Sequence, residues 1–290
     1  MNLKMNNWYY FTRLSDGNRR IYLEIYDALS KGNYTASAVV FSQGIDAYNG
    51  LAVSNIRDFV INDNPQLFHQ PPLKSYYKRQ GDAVTITTEP IYTPQQYQVL
   101  YQRLSQKASE ILRHSQMSGP PERRVRFLYD FLARHSVYNK EVEARYNNGA
   151  TSSVLNASDD HSVLERYTIV GPLLNSDCVC AGYAKAFQLL CDMAQVSCVL
   201  VRGKKGLPDG RRGNHSWNIV ILDGCAYHVD VTQASGCFSI GDAAGMKAAY
   251  LRRDDYFQQG NYIWKKSFYP TCPKDYSAKP SGLFGKLFKQ

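Results

Sequence analysis

A cysteine, a histidine and an aspartate stand at Cys180, His215 and Asp230, in the segments DCVCAGYAKAFQLLC, GNHSWNIVILDG and CAYHVDVTQA. A thiol attacks a carbonyl as its thiolate, so it needs a base to take its proton and a third group to orient that base. Cys180, His215 and Asp230 have the residue types for those three roles. The chemistry they suggest is attack on a carboxamide or peptide carbonyl, with a thioester formed at sulfur and ammonia or an amine released.

Three side chains so far apart in sequence act together only if local structure gathers them. WNIVIL and CAYHVDV are apolar, β-branched and aromatic runs joined by Asp223-Gly224, a strong hairpin signal. A two-residue turn pairs Leu222 with Cys225 and Val220 with Tyr227. Continued along the strands, that register sets Trp217 opposite Asp230 and His215 opposite Thr232. Asp230 then becomes the diagonal neighbour of His215, roughly 7–8 Å away between α-carbons and within reach of an imidazole–carboxylate hydrogen bond. A bulge would shift the register by one and undo the pairing. Ahead of Cys180, LLNSD offers Ser176 or Asp177 as a helix cap. Beyond it, Tyr183, Ala184, Phe187, Leu190, Cys191 and Ala194 recur at helical spacing. A thiol in a first helical turn faces unpaired N–H groups and the positive end of the helix dipole, which favours the thiolate and offers donors to an oxyanion. Gly182 would leave room above the thiol for a substrate backbone.

At these residues the chain resembles the transglutaminase-like superfamily, which shares its Cys-His-Asp site with papain-like proteases. The nucleophile motif C-x-G-Y-A is matched by Cys180, Gly182, Tyr183 and Ala184, and the base motif H-x-W-N by His215, Trp217 and Asn218. The acid motif Y-H-V-D-x-T is matched by Tyr227, His228, Val229, Asp230 and Thr232. RRVRFLYDFLARHSVYNK (123–140) resembles the helix that precedes the core in bacterial members, and the likeness covers residues 120–275. Two positions depart from the pattern: Gln233 stands where a tryptophan often follows D-x-T, and Cys178 where a glycine is common. The resemblance implies an α+β fold, a papain-like or transglutaminase-like core with the nucleophile helix packed on an antiparallel sheet. It also implies a catalytic triad of Cys180, His215 and Asp230, with Gly182, Tyr183, Trp217 and Asn218 in the substrate cleft. The implied substrate is a protein or peptide. Water is the expected acyl acceptor, giving a protease or deamidase, with a lysine amine and cross-linking as the other outcome. No acidic cluster resembles the calcium sites of animal transglutaminases, so calcium independence and no cofactor are expected. The reading from another class is a catalytically inactive module that keeps the cleft to bind a peptide or protein.

Rivals exist within the motifs. Cys178 precedes the first helical turn, where a helix stabilises a thiolate less, and His228 lies two residues from Asp230 and reads as structural. Seven cysteines raise the question of metal, but they contain no C-x-x-C pair, and the C-x-C at Cys178 and Cys180 has no matching partner pair. No metal site is expected. An odd cysteine count in a chain of this length also argues against a disulfide framework. With no apolar leader in MNLKMNNWYYFTRL, the thiols suggest a reducing, cytoplasmic compartment. No apolar run is long enough to span a bilayer.

At 290 residues, 44% hydrophobic and with 22 tyrosines, the chain has room for about two domains and cannot be mostly disordered. Its net charge is +9, and from Lys265 to Gln290 six lysines less one aspartate supply +5 of it. No nucleic-acid motif accompanies the excess, so a solvated basic tail is the reading. Residues 1–117 read as a mixed, mainly helical supporting or gating region, with helices over DGNRRIYLEIYDALSKG, LAVSNIRDFVIND and Tyr97 to Leu112, and a strand in QGDAVTITTEPIY. SGPPE is a linker with Pro121 in the next first turn. Residues 118–275 form the expected core, 276–290 a flexible tail, and 141–175 a long loop leading to Cys180.

Overall fold

The computed structural model describes residues 3, 7–32, 35–39, 50–69, 75–80, 83–88, 91–148, 161–206 and 210–277. The N-terminal region opens with α1 (Tyr9–Thr12) and α2 (Asp16–Ser30), whose Ile21, Tyr22, Ile25 and Leu29 are buried at helical spacing. Strand β1 (Thr35–Val39) and helix α3 (Gly50–Asp63) follow, then β2 (Ser75–Gln80) and β3 (Ala83–Thr88). The three strands make an antiparallel sheet in the order β1-β3-β2. α2, α3 and β3 close a small core of their own around Ile25, Val60 and Ile86. Helix α4 (Pro94–Leu112) starts at a capping box, in which Thr93 and Gln96 satisfy each other's backbone, with Pro94 pre-set for the first turn.

Helix α5 (Pro121–His135) starts at Pro121 and buries Val125, Leu128, Tyr129, Leu132 and Ala133. Strand β4 (Val137–Tyr138) and helices α6 (Lys140–Asn148) and α7 (His161–Glu165) come next, with a π-helical turn at Gly171–Asn175. The segment expected to be one long loop is therefore largely helical where it is described. Its Asn/Ser/Asp-rich composition masked buried anchors such as Val142, Leu164, Ile169 and Val170. Strand β5 (Asp177–Cys178) pairs in parallel with β4 and delivers the chain to α8 (Cys180–Met193). In α8, Phe187, Leu189, Leu190 and Cys191 are fully enclosed. Each such large apolar side chain contributes ~1.5–3 kcal/mol by leaving water, which fixes the helix firmly against the sheet.

That sheet has the order β8-β7-β6-β9, from β6 (Ser197–Gly206), β7 (Arg212–Leu222), β8 (Cys225–Val229) and β9 (Tyr262–Ile263). All its pairings are antiparallel. Asp223 (φ 50) and Gly224 (φ 77) both sit in the left-handed region, as a tight hairpin turn requires. Leu222 pairs with Cys225 and Val220 with Tyr227, the expected register with no bulge. Alternation then sorts the sheet: Cys198, Val220, Tyr227 and Val229 join the core under α8, whereas Val199, Val201, Trp217 and Ile219 face the opposite layer with Tyr10, Phe257 and Tyr262. The β7–β8 ladder ends at Asn218 and Val229. Asp230 is not part of the strand; it is the N-cap of α9 (Val231–Ser239), and Thr232 lies inside that helix. The chain closes with α10 (Ala243–Ala248) and α11 (Asp254–Gln259) ahead of β9. Most of the basic tail lies outside the described residues.

Candidate active site

Cys180 is the first residue of α8, behind Val179, an extended N-cap with no side-chain capping bond. The expected caps serve other ends: Ser176 turns in the left-handed region (φ 56), and Asp177 is in β5. The helix start therefore keeps first-turn N–H groups that no side chain caps, and Cys180 and Ala181 both line the adjoining cavity.

His215 comes from β7, where it pairs with Gly203 of β6. Its Nε2 lies 2.8 Å from Asp230 Oδ2. Cys180 lies beside the same ring: its thiol is among the groups that favour the charged imidazole, and both residues line one cavity. The diagonal-pair expectation thus meets the right partner by a different route: Asp230 reaches His215 from a helix cap, not from a continued strand. A cap position holds the carboxylate by its backbone, and Asp230 Oδ1 accepts from Gln233 N at 3.1 Å.

Two further groups converge on this carboxylate. Tyr262 Oη donates to Oδ2 at 2.6 Å, and Lys205 Nζ stands 3.8 Å from the same oxygen. Lys205 also hydrogen-bonds Gln233 Oε1 and lies 4.5 Å above the Tyr262 ring. Gln233, the position of the missing tryptophan, therefore holds a lysine against the acid through its side chain. Asp230 is fully buried, which alone would raise its pKa, but His215, Lys205 and Tyr262 together hold it well below the usual carboxylate range. Burial opposes a charge on His215 as well. The Asp230 carboxylate, its hydrogen bond and the Cys180 thiol outweigh that penalty and raise the imidazole from 6.5 to about 9. Trp217 and Tyr262 wall the imidazole, with ring centroids 5.9 and 5.7 Å away.

A cavity of about 360 Å³ opens beside Cys180 and His215. Its walls come from α8, β6, β7, Tyr138 and Tyr167, and from α3 of the N-terminal region through Asp58, Ile61 and Asn62. None of the four residues expected in the cleft lines it. Gly182 is buried, and a Cβ there would meet the Arg166 carbonyl oxygen at 2.5 Å and Cys178 Cβ at 2.9 Å, so glycine serves close packing of α8 instead of substrate access. Tyr183 is enclosed and ties Ser136 O (2.6 Å) and Ser235 Oγ (2.8 Å). Trp217 is 1% exposed and donates through Nε1 to His228 Nδ1 at 3.0 Å. Asn218 is fully enclosed and fastens β7 to α8 by donating to Ala184 O at 3.0 Å. These side chains build the frame behind the triad. Apart from Cys180 and His215, the residues that line the cavity carry no sequence signal of their own; Asp58 and Asn62 lie in a helix legible only by its apolar spacing.

Cys178 is fully buried, and burial pushes its thiol well above its ordinary pKa. His228 is enclosed between Trp217 and Asp254, its Nε2 2.9 Å from Asp254 Oδ1. Among the described residues, His228, Asp254 and Cys272 place potential metal-ligand atoms within 4.8 Å of one another. Both His228 nitrogens there are already committed to protein partners. All seven cysteines are free, and no described helix is long and apolar enough to cross a membrane.

No family model matches the chain. Over 98 residues, 31% of the chain, it is 31% identical to the kyphoscoliosis peptidase of Mus musculus, a transglutaminase-like protein of which this stretch is 14%. Among solved structures it is similar to a transglutaminase at 14% identity and a TM-score of 0.36, covering 55% of this chain and 44% of that one. It is also similar to a candidate cysteine protease from Cytophaga hutchinsonii at 11% identity and a TM-score of 0.29, covering 56% and 63%. A candidate protease from Parabacteroides distasonis matches at 9% identity and a TM-score of 0.28, covering 56% and 39%. The chain spans less than two-thirds of each of these proteins.

Proposed function

We propose that the chain is a thiol enzyme acting on a carboxamide or peptide bond, with Cys180 as nucleophile, His215 as base and acid, and Asp230 as orienter. The observation that carries this reading is the 2.8 Å hydrogen bond between His215 and Asp230, with the Cys180 thiol close enough to favour the charged imidazole and both Cys180 and His215 on the wall of one open cavity. With Nε2–H donating to Asp230, Nδ1 is left as the basic nitrogen toward sulfur. His215 takes the thiol proton, and the thiolate adds to the substrate carbonyl. The oxyanion meets the uncapped N–H groups at the start of α8. Collapse of the tetrahedral intermediate breaks the C–N bond as the imidazolium protonates the leaving nitrogen, which leaves a thioester on Cys180. Water, deprotonated by His215, then releases the acid and restores the thiol. Residues 1–117 support this site through α3, which forms one wall of the cavity. The substrate is a protein or peptide.

Water is the proposed acceptor: Lys185, Arg202, Lys204 and Asn214 bring polar groups to a cavity that Ile61, Val179 and Leu200 also line, and an amine outcompetes water best in a fully dry channel. Incubation with a glutamine peptide and an amine probe, alongside a quenched peptide library, tests both levels. Cleavage or deamidation lost in Cys180→Ala is the expected result. Probe incorporation without hydrolysis would make the protein a transamidase, and inertness toward both would favour the peptide-binding module.

A further inference from the structure

Lys185 lies in α8 and is only 6% exposed, yet it lines the cavity and has no hydrogen-bond or ion-pair partner among the described residues. A buried ammonium without a partner is costly, and natural chains normally pair it. On the same cavity, Asn62 of α3 is likewise 6% exposed, and its side-chain Nδ2 has no hydrogen-bond partner among the described residues. A cation and an N–H donor are thus held in one cavity without a hydrogen-bond or ion-pair partner among the described residues; the Asp58 carboxylate acts on Lys185 from beyond ion-pair distance.

The acids on the same cavity are already engaged. Asp58 pairs with Arg57 at 3.1 Å and with Arg202 at 2.9 Å, and Glu143 lies beside the Tyr138 hydroxyl. Lys204 adds a further positive charge at the exposed rim. Burial lowers Lys185 to about 8, with Arg202 adding to the effect, so at neutral pH it still carries its proton in most molecules. Cys180 and Lys185 stand five residues apart on one helix, roughly 7.5 Å along its axis. An extended peptide covers that distance in roughly two residues.

We propose that Lys185 and Asn62 form a carboxylate-binding subsite in the cavity beside Cys180, which selects substrates carrying a negative charge within about two residues of the bond attacked. The proposal deepens the thiol-enzyme reading and rests on it for the word substrate. The subsite itself is a property of the cavity. The carboxylate could belong to an acidic side chain or to a peptide C-terminus, and both present the same two-oxygen anion to an ammonium and an amide.

Calorimetric titration of the full-length Cys180→Ala protein tests it without thiol chemistry. The probes are N-acetyl-glutamate α-amide, N-acetyl-alanine with its free carboxylate, and neutral N-acetyl-glutamine α-amide. At least one charged probe should bind ~10-fold or more tightly than the neutral one, and which one does so identifies the source of the carboxylate. Lys185→Met keeps the length and packing of the side chain and removes only its charge; it should bring the charged probe down to the neutral level. Asn62→Ala, from the opposite wall, should weaken the charged probe selectively and guards against a folding defect in the first variant. Equal binding of all three probes, no measurable binding of either carboxylate, or charge preference that survives both substitutions would overturn the subsite. A failure here leaves the Cys180 reading standing, and an inert Cys180 would leave this result standing.

Discussion

Replacing Asp230 by asparagine removes the charge and one of its two acceptor oxygens. His215 Nε2 bonds Oδ2 and Gln233 N bonds Oδ1, so the single amide oxygen can keep the bond to His215 while the cap bond is given up. What disappears is the attraction that lets a buried imidazole carry a proton. That attraction, with the Cys180 thiol, takes His215 from 6.5 to about 9 against burial. The difference corresponds to about 3 kcal/mol between the two protonation states. Because burial persists in the variant, the imidazole should fall to its ordinary pKa or below. The imidazolium beside Cys180 would then fall from nearly full occupancy to about a quarter or less at neutral pH. NMR titration of isotopically labelled histidine reads this directly, with the other five of the chain's six histidines as controls. A His215 pKa that stays near its wild-type value in Asp230→Asn would refute the electrostatic reasoning, even if turnover were lost.

Other outcomes follow from the same geometry. His215 has a raised folded pKa, so its contribution to stability is complete below about 6.5 and disappears as the pH rises through about 9. In a Cys180→Ala background, the stability lost on His215→Gln should therefore shrink between those two values when followed by denaturant unfolding; a constant difference would contradict the linkage. His228→Ala should cost ~2–4 kcal/mol, because Trp217 Nε1 and Asp254 lose a buried partner, yet leave a Cys180 that is still labelled faster than the other thiols. Loss of that selectivity would return His228 to the role of base. Gly182→Ala should destabilise by ~1–3 kcal/mol through overpacking against the Arg166 backbone. An unchanged melting temperature would show that the glycine is there for access. Asp63→Ala, which strips acceptors from Tyr10 N, Phe11 N and the Tyr22 hydroxyl, should cost ~2–3 kcal/mol in thermal unfolding and loosen α1. A neutral result would mean that α1 is held by its aromatic packing alone.

The sequence shows which residues belong together better than it shows how they meet. The β7–β8 register follows from Asp223-Gly224 and period-two alternation, because a two-residue turn leaves no freedom in pairing. Extending that ladder to Asp230 goes one residue too far. Val231, Thr232 and Gln233 are as compatible with a first helical turn as with a strand, and the aspartate's preference for an N-cap decides the matter. The frame around the triad is hard to read for a related reason. Trp217, Asn218 and Tyr183 look like cleft residues beside the nucleophile and base, but each spends its polar atom on a buried bond to another element. Only tertiary structure reveals that Tyr262, from a two-residue strand, and Lys205 close around Asp230. Likewise, nothing local to α3 announces that its last turns wall the cavity.

Site-resolved alkylation by iodoacetamide at neutral pH, read by peptide mapping across all seven cysteines, tests the central claim most directly. Cys225 is the built-in control, since it is the other cysteine that is partly exposed, while Cys178, Cys191, Cys198, Cys237 and Cys272 are buried. An imidazole held by Asp230 beside the thiol should make Cys180 react ~10²-fold faster than Cys225, and His215→Gln should erase that lead. A Cys180 that reacts no faster than Cys225, or whose reactivity is indifferent to His215, would contradict the thiol-enzyme account.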